Sequence, residues 1–161
     1  MKIVFSLLFI IQSLCLSAQE KDINTSINQW HKAAEEADFD KYFNLMTSDA
    51  IFVGSDASEV WSYDDFKSFS KPYFDAGKAW TFNPIERHVY VSPEQKMAWF
   101  DETLNSTHMG VCRGSGVLEK QDGKTWKIKH YVLSLAIPND HVAEIVELKK
   151  ALDQNYVEDK L

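Results

Sequence analysis

From Asp22 to Ala37 the apolar residues recur at helical spacing. Ile23, Ile27, Trp30, Ala34 and Ala37 fall on one stripe, and Lys32, Glu35 and Glu36 take the wet side. Asp38 stands where it can cap a short second helix, Phe39 to Met46, that buries Phe39, Phe43 and Met46. Ala50 to Ser55 reads as a short strand. Ser62-x-x-Asp65 has the form of a capping box with Asp in place of the usual Glu or Gln. It opens a third helix with Phe66, Phe69, Tyr73 and Ala76 on one side. Gly77 stops that helix, and Pro72 is expected to kink or break it near Lys71.

After Gly77 the period changes from 3.6 to 2. Four strands are predicted, at about Trp80–Val91, Lys96–Asn105, Met109–Lys120 and Lys124–Ile137. Ser92 to Gln95, Asn105 to His108 and Asp122-Gly123 supply the turns, and the last is a strong hairpin signal. Pro138-Asn139-Asp140 then opens a C-terminal helix, residues 139–152. Its stripe would be Val142, Ile145, Val146, Lys149 and Leu152, and the tail at 156–161 is polar. Helices followed by an antiparallel meander make an α+β layout with helices on one face of a sheet.

A two-residue loop at Asp122-Gly123 sets a register. Val117 then opposes Ile128, Ser115 opposes His130, and Arg113 opposes Val132. One face would carry Arg113, Ser115, Val117, Trp126, Ile128, His130 and Val132, and being mostly apolar it is expected under the helices. An arginine there needs a partner, because burying it alone costs several kcal/mol. A three-residue loop between Ser92 and Lys96 would place Arg87 opposite Asp101 and put Met97, Trp99, Asp101 and Thr103 on the same face. A one-residue slip would substitute Glu86, His88 and Glu102.

The first 18 residues read as an address. Lys2 is a positive start, Ile3 to Leu16 is nearly all apolar, and Leu16-Ser17-Ala18 ends in a small residue before Gln19. The run is shorter than a membrane span. The expectation is therefore a cleaved signal at 1–18 and an exported protein, periplasmic or secreted, with no membrane attachment after cleavage. Of the two cysteines only Cys112 would remain, so no intrachain disulfide could form. A buried inert thiol is expected there.

The chain has 161 residues, 45% of them hydrophobic, with only 6 Gly and 4 Pro, which excludes fibrous and disordered classes. The formal charge of -7 argues against a nucleic-acid partner. The five His residues make no His-x-His or His-Glu-x-x-His spacing, so no metal is expected. Gly114-Ser115-Gly116 lies inside a strand rather than at a strand-to-helix turn. Its glycines read as relief for tight sheet curvature, not as a nucleophile elbow.

The amphipathic helix carrying a Trp, the Asp-Phe-x-x-Tyr/Phe second helix, "DAIFVGSDASEVWS", "AWFDE", "RGSGVL" and "WKIKHYVLS" occur in a telling order. Together they make the chain resemble a SnoaL-like protein of the nuclear transport factor 2-like superfamily over about Ile23 to Ile137. The resemblance implies a cone, in which a strongly bent antiparallel sheet wraps around N-terminal helices and leaves a pocket at its open end. Here a single domain, 19–155, would carry an extra C-terminal helix. Such proteins include isomerases, dehydratases, epoxide hydrolases and cyclases, and also non-catalytic binding and assembly modules, so fold does not settle function.

Two function classes follow. The first is an exported pocket protein that binds a small apolar or carboxylate-bearing ligand, and a homodimer is compatible with it. The pocket would be lined by Trp30, Phe43, Trp61, Phe69, Tyr73 and Trp99. The second is an isomerase, dehydratase or hydrolase that needs no cofactor. There Asp101 and His130 would move protons and Arg113 would hold an anionic oxygen. A third, bland reading makes Arg113 and Asp101 a buried pair, bonds His130 to Ser115 or to backbone, and fills the interior with side chains.

Overall fold

The structure, a computed structural model, describes the backbone from Lys2 onward and the side chains from Ala18 onward. Helix α1 spans Lys2–Glu35, so the expected signal at 1–18 falls almost wholly on residues whose side chains lie outside the described ones. Among the described residues no helix is long and apolar enough to cross a membrane.

Within α1, Ile23, Ile27, Trp30 and Ala34 of the expected stripe are buried, with Ala33 beside them, whereas Ala37 lies past the end of the helix and is half-buried. The helix closes with Ala37 in the left-handed region (φ 52°). The Asp38 amide donates to the Ala33 carbonyl at 2.8 Å and the Ala37 amide to Ala34 at 3.1 Å, which satisfies the last carbonyls. Asp38 then caps α2 (Phe39–Asn44) by accepting from the Lys41 amide at 3.1 Å. Met46 leaves that helix and begins strand β1 (Met46–Val53).

A short strand that the sequence did not announce, β2 (Val60–Ser62), pairs antiparallel with β1. Helix α3 (Tyr63–Asp75) starts at the expected cap, where Ser62 Oγ accepts from the Asp65 amide and donates to the Asp65 carboxylate at 2.6 Å. Pro72 does not break it. It sits in the last turn at an exposed position, so the one lost bond is open to water, and buried Phe74 carries the helix to Asp75.

Strands β3 (Asn83–Val91), β4 (Met97–Ser106), β5 (Gly110–Gln121) and β6 (Thr125–Leu135) complete a six-stranded sheet of order β2-β1-β6-β5-β4-β3. The meander from β3 to β6 is antiparallel, but β1 runs parallel to β6, so the sheet is mixed. No hairpin joins β1 to β6, and nothing therefore forces them antiparallel. A turn of 3₁₀-helix (Asn139–His141) leads into α4 (Val142–Lys160), longer than the expected 139–152. None of its residues is buried, and Leu152 of its expected apolar stripe is 72% exposed. Among the described residues one side-chain bond ties it to the domain, from Tyr156 Oη to the Ala57 carbonyl in the β1–β2 loop at 2.8 Å.

Register decides which side chains face the helices, and it differs from the expected one in three places. The β3–β4 turn holds one more residue than expected. Ser92 pairs with Met97 (amide to carbonyl 2.9 Å), and Gln95 takes a left-handed conformation (φ 56°). Arg87 therefore opposes Glu102 rather than Asp101. At the β5–β6 hairpin, Asp122 and Gly123 both have positive φ, as a two-residue turn requires, but the ladder beyond pairs Gln121 with Thr125. A bulge between Val117 and Leu118 shifts β5 against β6 once more. The inward residues are thus Ala98, Phe100, Glu102 and Leu104 on β4; Cys112, Gly114, Gly116 and Leu118 on β5; and Trp126, Ile128, Tyr131 and Leu133 on β6. Each turn slip moves a whole strand's side chains to the other face, and the bulge does the same for β6 beyond Ile128.

Candidate functional site

The slips remove the expected polar groups from the interior. Arg113 is exposed on the outer face, and Asp101 and His130 lie half-buried there as well. Asp101 binds a neighbour on that face: its Oδ2 lies 3.0 Å from His88 Nδ1. That hydrogen bond and charge hold the His88 imidazole above its usual pKa. Trp99 is 48% exposed and stacks on Tyr90. Trp30 and Phe43 are core: Trp30 packs between Tyr42 and Tyr131, with ring centroids 4.9 and 4.8 Å away. Tyr73 is exposed beside Phe69. Of the six expected lining residues, Trp61 and Phe69 line an apolar cavity, and Phe43 touches a separate polar cavity beside β1 with Asp49, Glu119 and Lys129.

The apolar cavity measures about 150 Å³ and opens where β1, β2, α3 and the β4–β5 turn meet. Phe52 from β1 and Phe66 from α3 stack at 4.0 Å with their planes 8° apart. Trp61 from β2 and Phe69 from α3 stack at 4.8 Å. Trp80 and Phe82 come from the segment between α3 and β3, Met109 from a turn, and Leu133 from β6. Glu59 is the single ionisable residue of the wall. Its carboxylate folds over Gly54, where an added Cβ would lie 2.1 Å from Glu59 Oε2, and it accepts from the Asp56 amide at 3.3 Å. Pairs of flat rings with one acidic edge can hold a small apolar molecule, but supply no cation for an anion.

A second assembly lies deeper. Glu102 on β4 is 1% exposed and is held from three sides. Its Oε1 lies 2.8 Å from His31 Nε2 of α1 and accepts from Tyr131 Oη of β6 at 3.0 Å. Its Oε2 accepts from Arg87 Nε of β3 at 2.8 Å, with Arg87 Nη2 2.7 Å away as an ion-pair contact. Arg87 Nη1 continues to the side-chain oxygens of Asn28 (2.8 Å) and Asn24 (3.2 Å) on α1. Burial pushes the Glu102 carboxyl up, but His31 and Arg87 together outweigh it and hold the group below the usual glutamate range. Burial also raises the Tyr131 phenol and the thiol of Cys112, which is buried and unpaired.

Sequence reasoning named Glu102 only as the product of a slip, and it left His31, Arg87 and Tyr131 out of the site. The available signal was Arg87 itself, a charged residue on the inward side of β3, which needs a carboxylate on the neighbouring strand. Among the described residues no group of three or more His, Cys, Asp or Glu is arranged to hold a metal ion.

Several solved structures share the fold. An NTF2-like protein of unknown function from Pseudomonas putida matches with a TM-score of 0.63 at 14% identity, over 76% of this chain and 90% of its own. A structure described as a putative dehydratase of the NTF2-like family, from Streptomyces avermitilis, gives 0.62 at 17% identity over 73% and 96%. A ketosteroid isomerase-like protein from Erwinia carotovora atroseptica gives 0.53 at 16% identity over 73% and 96%. At these identities the likeness establishes the fold alone. No curated protein matches the chain significantly. The model of the SnoaL-like domain matches residues 23–138, from the buried Ile23 of α1 to Pro138, three residues past β6. The chain therefore belongs to the SnoaL-like domain family.

Proposed function

We propose that this protein is a small-molecule binding module whose ligand is apolar and about one ring in size. The observation that carries the reading is the cavity walled by Phe52, Trp61, Phe66, Phe69, Trp80 and Leu133. Its volume of about 150 Å³ is smaller than the ~300 Å³ or more of a drug-sized site. An apolar cavity of that size accepts a benzene-sized guest. The guest's flat faces would meet ring faces, and Glu59 at the edge would accept from a hydroxyl or amine on its rim.

The rearranged polar groups bear on the alternative. Acid–base chemistry built on Asp101, His130 and Arg113 finds no support in a cavity whose wall none of them reaches. A carboxylate-bearing guest likewise finds no cation there. Export is part of the proposal, and its support is the positive start and apolar run of residues 1–18.

Trp61 and Trp80 make the cavity self-reporting. Titration with toluene or p-cresol should change tryptophan emission saturably. Met109→Phe fills the space from a half-buried turn position and should abolish the response while thermal stability is kept. A response that survives Met109→Phe would place the binding elsewhere and refute the reading.

A further inference from the structure

The Glu102 network fixes the state of a neighbouring imidazole. An ionised carboxylate only accepts hydrogen bonds, and Glu102 is surrounded by the donors Arg87 and Tyr131. The proton in the 2.8 Å contact with His31 therefore sits on His31 Nε2. While the ring is neutral, Nδ1 is the lone-pair nitrogen. It has no protein partner among the described residues, and it is not sealed from solvent although His31 is only 6% exposed. The ring forms part of a groove of about 200 Å³ between α1 and the start of β3.

The groove has one helical wall and one strand wall. Asn28, His31, Lys32 and Glu35 share a helix face by their spacing, and Phe82, Asn83 and Pro84 face them. Asn28 gives its side-chain oxygen to Arg87, which leaves its amide N–H groups free to donate. Phe82 also lines the apolar cavity, so its ring divides the two spaces.

We propose that this groove is a proton-linked binding site for a small monocarboxylate, separate from the apolar cavity. The charges support it. Arg87 and Glu102 cancel each other. Protonation of His31 adds one positive charge, and one carboxylate neutralises it without leaving a buried ion unpaired. Nδ1–H donates to one carboxylate oxygen, and the Asn28 amide stands on the same face for the other, with the Lys32 ammonium, now 3.4 Å from Glu36 Oε1 in an exposed pair, able to turn toward it. Glu35 makes the groove unfavourable for a second carboxylate. The charged and titratable groups around the ring are Glu102 from β4, Arg87 from β3, Tyr131 from β6, and Lys32 and Glu35 from α1.

The test uses the wild-type chain, uniformly labelled with ¹⁵N, and propionate as the probe. Without propionate at alkaline pH, long-range ¹H–¹⁵N correlation should show His31 with Nε2 protonated and Nδ1 bare. Propionate should then drive the Nδ1 resonance saturably to its protonated position, with one proton taken up per ligand. Where the free ring is neutral and propionate ionised, affinity should rise about tenfold per pH unit lowered. Lys32→Ala should weaken binding several-fold and leave the free tautomer unchanged. The proposal is overturned if Nδ1 does not respond at tens of millimolar propionate, if binding occurs without proton uptake, or if Nδ1 is protonated and Nε2 bare in the free protein. Toluene binding at Trp61 and Trp80 is read separately, so either site can fail alone.

Discussion

The Tyr131 hydroxyl occupies the space that a side chain at Gly114 would need: a Cβ there would lie 2.2 Å from Tyr131 Oη and 2.9 Å from the Glu102 side chain. Glu102, Gly114 and Leu133 form one row across β4, β5 and β6, and Tyr131 leans over the glycine to reach Glu102 at 3.0 Å. The glycine is thus required by a close approach, not by backbone conformation. Gly114→Ala should push the phenol off the carboxylate and lower unfolding stability by about 1–3 kcal/mol. The contact is with the hydroxyl, so Tyr131→Phe in the same chain should recover part of the loss. Urea denaturation of the two single variants and the double variant measures the coupling.

Glu102 is the hub whose loss leaves Arg87 buried beside an uncharged partner. Glu102→Gln should cost about 3 kcal/mol or more. The same carboxyl gives the fold an acid limit. Its folded pKa lies below the ordinary value near 4.5, so its contribution is complete above that value and disappears as the pH falls through the folded pKa. Wild-type stability should decline below about pH 4.5 by a component that Glu102→Gln lacks, measured by chemical denaturation at a series of pH values.

The outer face should be tolerant where the sequence pointed to chemistry. Arg113→Ala and His130→Ala remove groups that touch neither the cavity nor the Glu102 network. Each should change stability by no more than about 0.5 kcal/mol and leave toluene binding unaltered. Asp101→Asn removes the partner of His88, so the His88 pKa should fall toward the ordinary imidazole value, as followed by NMR titration.

Much of this molecule can be read from its residues, and the point where reading stops is well defined. The α1 stripe, the Asp38 and Ser62 caps and the Asp122-Gly123 turn are local patterns, and each appears where its pattern places it. Arg87 on the inward side of β3 is also as read, although its partner is not, and so are Trp126 and Ile128 on β6. What fails is the count of residues around two turns and one bulge. A single residue there carries no hydrophobic signature of its own, yet it exchanges Asp101 for Glu102 and Arg113 for Gly114. Glycine offered no apolar mark of an inward position, although Gly114 and Gly116 face the core. The cavity was partly visible through Trp61 and Phe69. Phe82, Met109 and Leu133 come from three distant segments that only the folded sheet brings together.

Helix α4 should behave as a strap that, among the described residues, one side-chain hydrogen bond holds to the domain. Tyr156 Oη reaches the Ala57 carbonyl in the loop that also carries Gly54 and Glu59 to the cavity mouth, and no α4 residue is buried. Tyr156→Phe should speed amide hydrogen exchange along α4 and leave the melting temperature of the domain unchanged. A large drop in melting temperature would mean that α4 contributes to the core after all.

The central claim concerns where an apolar guest sits, and methyl NMR reads that position directly. With the Leu and Met methyl groups labelled with ¹³C, toluene titration should shift Met109 and Leu133 saturably. Leu104 and Leu118, buried in the same sheet away from the cavity, should stay in place. Stationary Met109 and Leu133 signals, or saturable shifts confined to Met97 on the outer face, would contradict the account.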